Sequence, residues 1–151
     1  MSKKVYLCGA MEYTDDNGAG WRQEYKERLE RTFDFKCIVP EDYEEDIIGD
    51  CNIRQLKKDK IDEYIITVRK LIDRDIQLVE ESDLIICNWN GEMSSGTFHE
   101  AGHAYLKNKE SFLVTSFNFC DVPGWFLSCF SNAFKSLDDL VAYLDYIGIG
   151  E

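Results

Sequence analysis

No stretch of about 18 apolar residues occurs in the chain, so the sequence offers no membrane-spanning helix. The first residues, Met-Ser-Lys-Lys before a short strand-like run, also lack the apolar core of a signal peptide. A cytoplasmic protein without a membrane partner is therefore expected. Positive charge is scarce: 17 Lys and Arg against 29 Asp and Glu give a net charge of −12. That balance argues against a nucleic-acid backbone as partner, because such a partner needs clustered basic residues. It leaves room for one phosphate in a locally arranged pocket. The six cysteines (8, 37, 51, 87, 120 and 129) contain no C-x-x-C pair and fall mostly inside apolar segments. They read as reduced core thiols, with disulfides as the lesser alternative. There is no internal repeat and no low-complexity segment.

The composition that remains is globular: 151 residues, 44% apolar and 30% charged. It predicts one domain over 1–151, large enough for a real core. "KKVYLCGA" reads as a first strand, followed by a Gly-, Asp- and Asn-rich loop and a helix over "WRQEYKERLERT". "FKCIVP" reads as a second strand, and residues 41–58 as a long loop. A helix from about Lys60 to Glu81 should turn Ile61, Ile65, Val68, Ile72, Asp75 and Val79 inward. "DLIICNW" is a continuous apolar run of the kind buried in a parallel sheet. A helix over roughly 97–107 follows, then the strand "SFLVTSF" and a partly helical apolar stretch. The last element is an amphipathic helix capped by Ser136. This alternation implies an α/β sandwich with a mainly parallel sheet, whose ligands bind beyond the carboxyl ends of the strands. The loop over 9–22 and the turn over 88–100 meet at one such crevice.

Within that turn, "SSGTFHEAGHAYL" supports three readings of Glu100. His99-Glu100-Ala101-Gly102-His103 matches the zinc-binding H-E-x-x-H pattern. Both histidines of the chain are spent in it, however, and a catalytic zinc needs a third protein ligand. Gly102 also weakens the helix that would hold them. Thr97-x-x-Glu100 is a capping box, which would make Glu100 a structural cap. That reading explains neither the small residues around it (Gly96, Ala101, Gly102, Ala104) nor Asp75 on an apolar stripe. Asp75 has a bland reading of its own, as a helix-face aspartate paired with Arg74 or Lys70. The third reading is chemical. An ionised carboxylate in the first turn of a helix, favoured by the helix dipole, is suited to attack an anomeric carbon. Asp75 could then orient or protonate the leaving group.

Three segments, "VYLCG", "DRDIQLVEESDLIICNW" and "SSGTFHEAGHA", resemble the nucleoside 2-deoxyribosyltransferases and the related deoxynucleoside 5′-monophosphate N-glycosidases. The likeness is scattered over roughly residues 4–115 and is most specific over 94–104. It includes the spacing from Asp75 to Asp83 and the six-residue step from Ser94 to Glu100. The resemblance implies a flavodoxin-like three-layer sandwich and a covalent deoxyribosyl ester on Glu100. Asp75 would serve the departing base and Tyr6 would position Glu100. In the free-nucleoside transferases the position of Ser94 is typically aspartate, and in the monophosphate-cleaving relatives it is serine. Ser94, Ser95 and Gly96 thus lean towards a 5′-phosphorylated substrate. Arg22, at the start of a helix, is the most plausible added phosphate ligand, and Gly9 and Asn88 edge the crevice. Against this, the loop "GAMEYTDDNGAGWR" carries three acidic residues and is longer than expected of the hydrolases.

The expected activity is cleavage of the N-glycosidic bond of a 2′-deoxynucleoside or its 5′-monophosphate, completed by water or by a second base. No metal and no organic cofactor is called for. The family commonly forms homodimers or higher homo-oligomers in which a neighbouring subunit completes the pocket. Here "NFCDVPGWFLSCFSN" could supply that interface or could be core. Rival readings are cleavage of NAD or a cyclic nucleotide, a nucleotide-binding module without turnover, and the zinc hydrolase.

Overall fold

Residues 5–8 separate the two faces of the sheet. Along β1 (Lys3–Gly9) Val5 and Leu7 enter one apolar cluster, while Tyr6 and Cys8 enter another. The period-two alternation of a strand sends neighbours to opposite faces. The same split recurs in β3 (Leu84–Asn88), where Leu84 and Ile86 face one way and Ile85 and Cys87 the other. β2 (Phe35–Ile38), β4 (Glu110–Val114) and β5 (Asn132–Phe134) complete the sheet. The computed structural model describes residues 2–10, 18–49, 51–92 and 94–149. All five strands are parallel, in the order β2-β1-β3-β4-β5.

Helix α1 (Ala19–Thr32) and helix α7 (Leu137–Tyr146) cover the Val5 face through Tyr25, Leu29, Leu140 and Leu144. Helix α4 (Ile61–Glu81) and helix α5 (Ser95–Leu106) cover the Tyr6 face through Val79, Ala101 and Ala104. The result is a flavodoxin-like three-layer α/β sandwich with a continuous apolar layer on each side. Each fully buried Leu or Ile contributes roughly 1.5–3 kcal/mol of burial. The chain passes from β2 over β1 to β3, so the strand order reverses between β1 and β3. Parallel α/β sheets open a crevice at such a point.

Several elements differ from the sequence expectation. Residues 41–58 are not a long loop. They form a 3₁₀ turn (Pro40–Tyr43), helix α2 (Glu45–Ile48) and helix α3 (Ile53–Asp59). Pro40 opens the turn, and the Asn52 side chain caps α3 by accepting from the Gln55 amide. These helices are too short to show an apolar period, which is why their pattern looked like a loop. α4 has the expected extent, but its stripe is only partly inward. Ile61, Ile65 and Ile72 are exposed, and of the six only Val79 is fully buried. The apolar run after β4 yields helix α6 (Gly124–Leu127) and the three-residue β5, a strand too short to be read from pattern. α7 and its Ser136 cap agree with expectation. All six cysteines are free, but only Cys8, Cys37 and Cys87 are buried. No helix among the described residues is long and apolar enough to cross a membrane.

Candidate active site

The cap of α5 decides one of the three readings of Glu100. Helix α5 starts at Ser95, and the Ser94 hydroxyl accepts from the Thr97 amide at 3.4 Å. Ser94 is therefore the N-cap, and the expected Thr97–Glu100 capping box does not form. Placing the start two residues earlier moves Glu100 into the second turn. The helix dipole acts mainly within the first turn, so the expected dipolar stabilisation of the carboxylate is largely lost. Instead the Glu100 carboxyl is pushed up to about 7. Burial is the main cause and the charge of Asp75 adds to it, while Cys8, Tyr6 and the positive charge of Arg22 oppose it.

Tyr6 reaches Glu100 from β1. Its side chain is fully buried, and its hydroxyl has no partner at hydrogen-bond geometry among the described residues. Burial, and then the charges of Glu100 and Asp75, raise its pKa well above the usual phenol value. It therefore remains a neutral O–H beside the carboxylate. Asp75 comes from the middle of α4. The Arg74 guanidinium donates to its Oδ1 through Nε at 2.9 Å and through a second nitrogen. Burial raises the Asp75 pKa, and Arg74 and Arg22 counter the rise. The bland pairing with Arg74 is thus present, but it occurs inside the same electrostatic cluster as Glu100 and Tyr6. Neighbours at i and i+1 do not normally face each other on a helix. Arg74 folds towards Asp75, and its remaining terminal nitrogen is buried without a hydrogen-bond partner among the described residues.

Arg22 is 1% exposed and is used inside the fold. It donates from Nε to the Leu7 carbonyl at 3.2 Å and from a terminal nitrogen to the Gly9 carbonyl at 2.8 Å. Its other terminal nitrogen lies 3.6 Å from Glu41. Its positive charge lies under the site, at the carboxyl end of β1. Gly9 pairs with Asn88 of β3, and a side chain on it would strike Trp21 at 2.5 Å. Close packing of Trp21 therefore accounts for this glycine. Asn88 is half-buried, and Ser95 and Gly96 are exposed where α5 begins. Space is open beside Gly102, and a side chain on Gly96 would be in ordinary contact with the Ser94 hydroxyl at 3.8 Å. The middle of the 9–22 loop, residues 11–17, lies outside the described residues.

The H-E-x-x-H histidines do not converge on a metal. His103 bonds Glu80 at 3.0 Å and His99 is exposed. Among the described residues no three His, Cys, Asp or Glu side chains are gathered to hold a metal ion. Both histidines instead line an open apolar groove of about 820 Å³, together with Phe98, Leu106 and Trp125. Glu100, Asp75 and Tyr6 are not part of that lining.

Sequence reasoning missed Cys8, Arg74 and Glu44. Cys8 follows Tyr6 by two in the same strand, so period two alone puts both on one face. Glu44 sits on the short-helix segment, and its pKa is raised by burial, with Arg74, Asp75, Glu41 and Arg22 all acting on it. Nothing in a region read as a loop pointed to that proximity.

A solved structure shares this architecture. The crystal structure of a conserved protein from Enterococcus faecalis V583 aligns with a TM-score of 0.63. Identity is 14%, over 97% of this chain and 99% of that one. The likeness speaks for the fold alone. No protein-family model and no curated protein matches the chain.

Proposed function

We propose that this protein is an enzyme that cleaves the N-glycosidic bond of 2′-deoxynucleosides or their 5′-monophosphates. One observation carries the reading. Glu100, Asp75 and Tyr6 come from three separate elements and act on one another electrostatically beside the β1–β3 switch point. Glu100 attacks C1′ and forms an ester while the C1′–N bond breaks and its electron pair leaves with the base. Asp75, where burial favours the proton and Arg74 opposes it, hydrogen-bonds or protonates the departing base. Water or a second base then attacks C1′ and releases Glu100, the double displacement of a retaining mechanism. Tyr6 holds the carboxylate in position.

Ser94 keeps a hydroxyl proton to offer while its oxygen accepts from Thr97, and with Ser95 and Gly96 it suits a 5′-phosphate at the start of α5. Arg22, bound to two main-chain carbonyls, contributes to this reading as a fixed positive charge. A homodimer or larger homo-oligomer belongs to the same proposal, supported by the exposed Phe98, Tyr105, Leu106 and Trp125 around the groove. Three buried free thiols support a reducing, cytoplasmic setting.

The test is chromatography of reactions with each 2′-deoxynucleoside or 5′-monophosphate, with and without a second free base. Free base from monophosphates alone supports the hydrolase, and a new nucleoside supports the transferase. No product from any of them overturns the proposal and turns the search to NAD-type substrates or a binding role.

A further inference from the structure

Among the described residues, Cys8 is the one nucleophilic side chain packed against Glu100 that the mechanism above does not use. It is fully buried on the same face of β1 as Tyr6. Its strand register sets it directly opposite Cys87 of β3. Its sulfur lies 3.7 Å from the Thr97 carbonyl, one turn before Glu100 on α5. Helical side chains lean back towards the N-terminus, so the Glu100 carboxyl hangs over that turn. A thiol has one proton, and here it has three neighbours able to take it: the Thr97 carbonyl, the Cys87 sulfur and the Glu100 carboxylate.

We propose that Cys8 is a positioning residue for Glu100, its S–H turning between the Thr97 carbonyl and the Glu100 carboxylate as Glu100 loses and regains negative charge. When Glu100 is ionised, a charged acceptor outcompetes a neutral carbonyl, and the thiol joins Tyr6 in holding the attacking oxygen. When Glu100 is protonated or esterified, that acceptor weakens and the S–H returns to Thr97. No bond to sulfur forms or breaks. The thiol does not itself ionise, because burial and the neighbouring Cys87 and Glu100 raise its pKa well above the usual value. The groups that act most strongly on Glu100 are Tyr6 and Cys8 from β1, Arg22 from α1 and Asp75 from α4. Of these, Cys8, Tyr6 and Arg22 favour its ionised form, and Asp75 opposes it.

The inference rests on the reading of Glu100 as the nucleophile, but its test needs no substrate. Infrared titration of the full-length protein follows the Glu100 carboxyl band, identified by its loss in Glu100→Gln. Cys8→Ala is expected to raise the Glu100 midpoint by about one pH unit, the size of one hydrogen bond to a charged group. Cys8→Ser, which keeps a donor, is expected to leave it at or below the wild-type value. In the wild type, the S–H band that Cys8→Ser removes should shift with the same midpoint as Glu100, a readout that survives if Cys8→Ala fails to fold. An unmoved midpoint in Cys8→Ala, an equal rise in both variants, or an S–H band indifferent to pH would each overturn the proposal. A protein inactive on every nucleoside that still shows these shifts would refute the reaction and leave the role of Cys8 supported. If both stand, the acid limb of kcat/KM moves with the Glu100 midpoint.

Discussion

Glu100 releases its proton at about 7 because burial and Asp75 outweigh Cys8, Tyr6 and Arg22. Turnover that needs the carboxylate should therefore rise with pH through about 7, and a pH profile of kcat/KM checks this. The same shift bears on stability with the opposite sign. Between its ordinary value of 4.5 and about 7, the folded chain keeps a proton that the unfolded chain has released. The contribution of this group is full below that window and is lost as pH rises through it. Replacing it by the neutral isostere removes the cost of ionisation. Glu100→Gln should abolish turnover yet stabilise the protein at about pH 8 by up to about 3 kcal/mol, a gain that vanishes at about pH 4. Thermal melts at the two pH values test it. At this scale the sequence was informative about identity and less so about environment. Asp75, Glu100 and Tyr6 were legible as a set. The state of Glu100 was not, since it follows from burial and from the neighbours that folding brings.

For single elements, the start of α5 separates a structural serine from a functional one. Ser94→Ala removes the N-cap and should cost about 1 kcal/mol of stability. Ser94→Asp keeps a capping oxygen, because aspartate is an equally good N-cap. It also sets a negative charge where a 5′-phosphate would sit. The proposed function predicts that Ser94→Asp melts like the wild type but loses at least tenfold in kcat/KM for a monophosphate relative to the matching nucleoside. Equal losses on both would reduce Ser94 to its cap. The elements themselves were uneven in legibility. β1, β3, α4 and α7 carry strong period or continuous apolar runs and appeared nearly in place. The segment from Pro40 to Asp59 did not, because helices of four to seven residues hold too few apolar positions to repeat. β5, three residues long, has no alternation to detect.

In the whole molecule, the sheet was readable because a parallel sheet buried on both faces needs continuous apolar strands, and "DLIICNW" is one. Its strand order, β2-β1-β3-β4-β5, puts the reversal between β1 and β3, the strands whose carboxyl ends lead into the segments the sequence singled out. The exposed side of α4 and α5 was not anticipated. Ile65, Ile66 and Leu106 lie on it, and Trp125 of α6 is 86% exposed. If copies of the chain associate through the groove, Trp125→Glu should shift the sedimenting species to a smaller one while the monomer fold persists in circular dichroism. An unchanged species would place any association elsewhere.

The proposed function turns on a covalent bond between Glu100 and a 2-deoxyribosyl group. Intact-protein mass spectrometry after rapid acid quench of the wild-type protein with a 2′-deoxynucleoside 5′-monophosphate, followed by peptide mapping, addresses it directly. The expected result is an adduct of one deoxyribosyl phosphate on the peptide containing Glu100, absent from Glu100→Gln. Base release that proceeds with no adduct, or with the adduct on another residue, would contradict it.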